Sequence, residues 1–338
     1  MKIKISSNNT KFPWKFLTVL LTFVALVTIV VIVIPAISAE IKIISIIVSL
    51  LVVVNIFIAF RFHIPLSTKF LVTILSIVIV VNITIAFSYH MVYEASLIHG
   101  ASGNLVHHKA HRVIMIYHSL STPFVGIVTI LFLDIFEVRK NVIEPIKYLV
   151  FVGGICAGIG ATFWAYTTIF ELHHIFLIDL VLLFLGGGLL CYGLLPGTEV
   201  KESEYIRDFP KIGGYDILSL SGFIVVGGML VFIVFGLTAA VIMLVIDEQF
   251  FFIEVEFLIR GPKELFQELA SFHMRLTSAL FLTGILILIF RYTEVKGKGA
   301  RIGAWLLLLG SIAMTAGYFL MLLMGGAANA ILMPARAL

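Results

Sequence analysis

The sequence predicts an all-α integral membrane protein: a bundle of about nine spanning helices forming one domain over residues 1–338. Three observations predict it. Hydrophobic residues are 61% of the chain and charged ones 12%, where soluble domains carry about 45–50% and about 25%. Mean hydropathy is +1.14. Apolar runs of about 20 residues, enough to cross a hydrocarbon core of about 30 Å as a helix, recur along the whole chain. So few charges cannot clothe a soluble fold of this composition. No P-loop, Rossmann glycine motif or HExxH occurs, so soluble-type catalysis is not indicated. The net charge of +4 reads as the basic excess of cytoplasmic loops, not as a nucleic-acid surface.

The runs are 16–38, 42–61, 69–90, 112–135, 147–170, 174–195, 217–246, 273–291 and 301–325. Lys2, Lys4, Lys11 and Lys15 precede the first, and Ile37-Ser38-Ala39 after it resembles a signal cleavage site. Its apolar stretch is long for a signal peptide, which favours a retained helix. With the N-terminus inside, sixteen of the 23 Lys and Arg fall in inner segments (1–15, 61–69, 139–147, 201–211 and 291–301). That bias predicts a plasma-membrane protein with a cytoplasmic N-terminus and an external C-terminus. Cys156 and Cys191 both lie in apolar runs and suggest neither a disulfide framework nor a Cys-rich metal site.

Two outer loops are long, 91–110 and 247–272; inside, 196–216 is polar. In the second outer loop Pro262 can open a short helix. Leu265, Phe266, Leu269 and Phe272 would share one face of it, as in a helix lying on the membrane surface. Six outer acidic residues, Asp247 to Glu268, form a soluble rim or attract a cationic partner. The fourth and fifth spans resemble the eighth and ninth. His118-Ser-Leu-Ser-Thr and His273-Met-Arg-Leu-Thr-Ser open runs that end in Glu137-Val138-Arg139 and Glu294-Val295-Lys296. Helices with Gly153, Gly154, Gly158 and Gly160, and with Gly310 and Gly317, follow. This suggests two related units, 40–170 and 171–325.

The histidines carry the functional signal. His90, His99, His107, His108, His111, His118, His173, His174 and His273 all fall at the outer side; His63 alone is inner. His107, His111 and His118 follow the i, i+4, i+11 spacing of one helical stripe. His118 lies about 10 Å deeper than His111 at 1.5 Å rise per residue. The fourth, sixth and eighth spans run in one direction, and each begins with histidine; the third brings His90 to that level from the other. Imidazoles facing one another across a bundle suit the iron of haem b, and neutral imidazole also suits copper or zinc. Arg112 and Arg275 are placed to pair with propionates. Gly186 to Gly188, Gly227 and Gly228 would leave room for a macrocycle, and aromatics such as Tyr117 and Trp164 would pack round it. The plainer readings are interfacial histidines and close helix packing at the glycines. Asp179 is a carboxylate inside a span, suited to a proton or quinol role or to a buried hydrogen bond.

His111-Arg112, His273-Met274-Arg275 and His174 together resemble the four-helix haem b proteins, most nearly heme A synthase. In that family two related halves ligate haem through histidines at the outer ends of even-numbered helices. The resemblance implies His174 and His273 as ligands in the C-terminal half, with His118 in the N-terminal half. The second span has Glu40 in place of a histidine, a ninth span is present, and the paired outer cysteines of part of that family are absent. A respiratory cytochrome b subunit is similar to nearly the same degree. The expected function is haem b binding for electron transfer or haem-linked oxidation at the extracytoplasmic side. A quinol or extracytoplasmic redox partner, and other membrane subunits, would accompany it. The alternatives are a cofactor-free anchor subunit of a respiratory complex and, with less support, a metal transporter.

Overall fold

The computed structural model describes residues 4–5, 25, 29, 39–63, 66–97, 105–167, 171–195, 209–213, 215–246, 262–293 and 297–324. Side chains at several helix ends, including 87–97, 105–114, 171–179, 232–246 and 262–275, are not part of that description. Eight helices follow one another: α1 (Ala39–Arg61), α2 (Thr68–Leu97), α3 (Leu105–Ile135), α4 (Lys140–Thr167), α5 (Glu171–Leu194), α6 (Ile217–Ile246), α7 (Pro262–Tyr292) and α8 (Gly297–Met324). They answer to the second through ninth expected spans. The first, 16–38, lies outside the described residues except for Ala25 and Ile29. Two short antiparallel ribbons complete the described secondary structure. β1 (Lys4–Ile5) pairs with β2 (Phe62–His63), and β3 (Lys211–Ile212) pairs with β4 (Tyr215–Asp216).

Among the described residues four segments are long and apolar enough to cross a membrane: Thr68–Ala86, Met115–Ile135, Lys140–Phe163 and Gly297–Tyr318. Shorter apolar segments run through α1, α5, α6 and α7. α2, α3 and α7 outrun their apolar stretches because the flanking residues continue the helix, with no Gly and, apart from Pro262 at the first position of α7, no Pro among them. Thus α2 continues to Leu97 and α3 starts at Leu105, which shortens the loop expected over 91–110. The same cause changes 262–272. It is helical from Pro262 as expected, yet it runs unbroken into α7 and is not a separate surface helix.

The helices alternate in direction, and four connections gather at one end, here the linker end. There Thr68 donates to Asp134 (3.1 Å) and Lys147 to the carbonyl of Leu66 (3.2 Å), joining the α1–α2 and α3–α4 connections. The amide of Arg139 donates to Gly193 O (3.1 Å), and its guanidinium to Tyr192 Oη (2.8 Å) and Leu195 O (3.3 Å). That satisfies carbonyls which the end of α5 would leave open. Asp216 caps α6: Oδ1 accepts the amide of Leu218 (2.9 Å). Its Oδ2 accepts Nη1 of Arg291 at 2.7 Å. Arg291 is 2% exposed, between the rings of Phe136 (5.7 Å) and Phe209 (5.2 Å).

Packing divides the bundle into two joined parts. In one, α3, α5, α6 and α7 form a ring: α3 touches α5 and α7, and α6 touches α5 and α7. Hence α5 and α7 stand diagonally. In the other, α4 lies along α3 and α5, with α2 against α3 and α4, and α1 against α4 and α5. Small residues permit the close approach. A side chain at Gly158 would meet Pro123 Cγ at 2.8 Å and Val78 at 2.9 Å, and one at Gly186 would collide with Val150. Proline lacks the N–H that would bond the carbonyl four residues back. At Pro123 that carbonyl belongs to Ser119, and Nδ2 of Asn82 donates to it at 2.8 Å while also donating to Gly158 O at 3.2 Å. One buried amide on α2 thereby mends the break in α3 and ties in α4.

Candidate functional site

Among the described residues, the end opposite the linkers carries every histidine position but His63. Of the ten, His118 is the one whose side chain is described. It is half-buried, with its ring edge-on to Tyr117 at 5.7 Å between centroids, and its carbonyl accepts Thr122 Oγ1 at 2.6 Å. Tyr117 Oη lies 3.1 Å from Ser278 Oγ, which sets the register of α3 against α7. Phe124 against Phe281, 4.7 Å apart, continues it. Met115, with Ala157 and Ala161 of α4, forms a small core on which Ile116, Leu180 and Leu183 pack, so α3, α4 and α5 meet there.

These registers fix the levels of the other positions. At 1.5 Å per residue, His111 is about 9 Å above Tyr117, and His273 about 7.5 Å above Ser278. His173 and His174 are about 10 Å above Leu180, which packs on the cluster of Met115, Ala157 and Ala161. The positions on α3 and α7 thus fall within about one turn of each other. His118 is one layer deeper. On α2, His90 is eight residues beyond Asn82, about 12 Å, and His111 is the same distance above Ser119, so these two also share a level.

Helical period, together with the known contacts, says which face each position occupies. On α3, His111 and His118 share a stripe with Thr122 and Phe136. Phe136 lies 3.3 Å from where a side chain on Gly222 of α6 would start. This stripe faces the ring interior. On α7, His273 shares a stripe with Leu280, Gly284 and Arg291. These face Gly228 of α6, Val128 and Val225, and Asp216 respectively. That stripe faces inward too. On α5, the inward stripe runs through Leu180, Gly187 and Cys191, the last two against Leu230 and Gly227 of α6. Counting back by seven brings it to His173; His174 falls about 100° away.

Several expected residues fall elsewhere. Arg275 lies on the stripe of Leu282, Leu286 and Ile289, each at least half exposed. Arg112 shares the face of Pro123, turned to α2 and α4. His90 belongs to α2, outside the ring. Asp179 lies on the stripe of Gly186 and Gly193, which faces α4. The glycines expected to make room for a macrocycle instead close helix contacts: Gly186 on Val150, Gly187 on Leu230, Gly228 on Thr315. His99 and the acidic stretch 247–256 lie outside the described residues. Among the described residues no three His, Cys, Asp or Glu side chains converge. Sequence reading missed Asn82, Asp216 and the burial of Arg291. A polar residue inside an apolar run was the available signal for Asn82.

No family model, curated protein or solved structure matches this chain.

Proposed function

We propose that the chain binds haem b at its extracytoplasmic end and serves electron transfer or haem-linked oxidation with a quinol or an extracytoplasmic redox partner. One observation supports this reading: two parallel helices of a four-helix ring, α3 and α7, bring histidine positions to one level on inward faces, and α5 begins with a pair of histidines. A ring of that kind, with imidazoles on facing helices, suits an iron held from both sides. The bound group would supply one-electron chemistry. The ring's apolar lining, Leu280 and Phe132 among it, would keep water out and set a low dielectric. Copper at the same imidazoles is the alternative metal. The purified protein should show a b-type absorbance that sharpens on reduction; oxidised and reduced spectra with no haem bands would reject the reading and favour an anchor subunit.

In the same reading the chain crosses the plasma membrane nine times with its N-terminus cytoplasmic, because the linker end gathers most of the basic residues. A single cysteine placed at Ser102 should then react with an impermeant reagent added outside, and one at Ser203 should not. The reverse pattern inverts the topology.

A further inference from the structure

We propose that the outward face of α8 holds an anionic phospholipid, its headgroup on Lys298 and Arg301 and its chains along the apolar stripe that follows. This stands apart from the haem reading. α8 packs on α6 and α7, and its buried positions include Ala300, Ala304, Leu308 and Ser311. Opposite them run Lys298, Arg301, Trp305, Leu309, Ile312 and Ala316, all exposed. Their i, i+3, i+7, i+11, i+14 and i+18 spacing is that of one helix face. The chemistry along it is graded: two cations, an indole, then aliphatic side chains. At 1.5 Å per residue, Trp305 is about 6 Å deeper than Arg301, and Ile312 about 16 Å deeper. The second depth is about half of a hydrocarbon core of about 30 Å, hence one leaflet. A phospholipid presents its groups in the same order. Lysine and arginine stems carry their charges to phosphates, an indole N–H suits an ester carbonyl, and the aliphatic stretch suits a chain. Beside the stripe, a side chain at Gly310 or Gly317 would meet nothing within 4 Å. With the exposed Ala313 they leave a shallow groove the width of an acyl chain.

Charge decides the headgroup. Several cations of the linker end are engaged within the protein: Lys147 by Glu144 and Leu66, Arg139 by Tyr192 and Leu195, Arg291 by Asp216. Among the described residues Lys298 and Arg301 have no carboxylate partner, and no acid stands in the first turn of α8. A zwitterionic headgroup brings its own ammonium to that place, whereas an anionic one leaves net negative charge for both cations. α2 offers no equal: Lys69 is the one cation of its first turn, and the helix has no tryptophan.

The test uses the full-length protein carrying Trp14→Phe and Trp164→Phe, which leaves Trp305 as its one tryptophan. In phosphatidylcholine vesicles, quenching of its fluorescence by brominated phosphatidylglycerol is compared with quenching by brominated phosphatidylcholine. Phosphatidylglycerol should be preferred about tenfold or more. Lys298→Gln and Arg301→Gln should each lower that preference about fivefold, and Lys69→Gln less than about twofold. Lys298→Arg keeps the charge and should keep the preference. Quenching by brominated phosphatidylcholine, which a folded α8 retains, is the reference for every variant. Equal quenching of the parent by both lipids overturns the proposal. So do equal losses in all three glutamine variants, which leave only the diffuse potential of a basic surface. A Trp305 shielded from both lipids, with disulfide-linked dimers of Ala313→Cys, overturns it in favour of a second copy on this face.

Discussion

The pairs α3–α4 and α7–α8 are alike in sequence and unlike in packing. Each opens with a histidine and small polar residues, ends its first helix near a Glu-Val-basic triplet, and follows with a glycine-bearing helix. Yet α4 lies along α3 with Gly154 and Gly158 pressed against Leu75 and Pro123. By contrast, a side chain at Gly310 or Gly317 of α8 would meet nothing within 4 Å. α8 leans on α6 as well as α7 and turns Ile302, Leu306 and Leu309 outward. Small residues let helices approach only where a neighbour is shaped to enter the groove. Pro123, bent and freed of its N–H, fills that role in the first pair. In the second pair Gly303 of α8 meets the ring of Phe290 on α7, where a side chain would start 2.6 Å away, and α7 is fastened to α6 by charge, Arg291 to Asp216.

The fastening by charge should break hardest. Asp216→Ala leaves a buried guanidinium unpaired and removes the cap of α6, at a cost of about 3–5 kcal/mol. Unfolding in mixed micelles measures it. Asp216→Ala with Arg291→Met should recover most of the loss, since no buried charge then remains. An Asp216→Ala variant as stable as the parent would show that the clasp holds nothing. The packed glycine comes next. Gly158→Val must displace Pro123 and Val78 and should cost about 1–3 kcal/mol in the same assay. The open glycine comes last: Gly310→Val should change stability by less than about 0.5 kcal/mol. Equal losses at the two glycines would erase the contrast between the pairs.

Much of the architecture was legible before any coordinates. The helices from α1 to α8 start and stop within a few turns of the apolar runs, because hydropathy and length alone decide a spanning segment. For 217–246 the bounds coincide. Early starts, such as Leu105 for α3, came from residues that continue a helix beyond the apolar zone. What the sequence could not yield is which helix touches which. Hydropathy is uniform around most of these helices, so periodicity points to no partner. Asp216 and Arg291, 75 residues apart, read separately as loop charges. Helix direction alone raised the expectation of a common histidine level; which face each position occupies depends on helix neighbours that hydropathy does not reveal.

The clasp also has a history within each molecule. Asp216 is made first, and Arg291 follows 75 residues later, a delay of about 4–15 s at ordinary rates of synthesis. During that interval α6 has its N-terminal cap and lacks its counter-charge, and Phe209 has no cation to cover. The ring of α3, α5, α6 and α7 therefore closes only when α7 is delivered. The earlier helices α2, α3 and α4, joined through Asn82, have all partners of that amide by residue 158. Half of the bundle can set while the ribosome is still at work, and the ring waits for the last turn of α7.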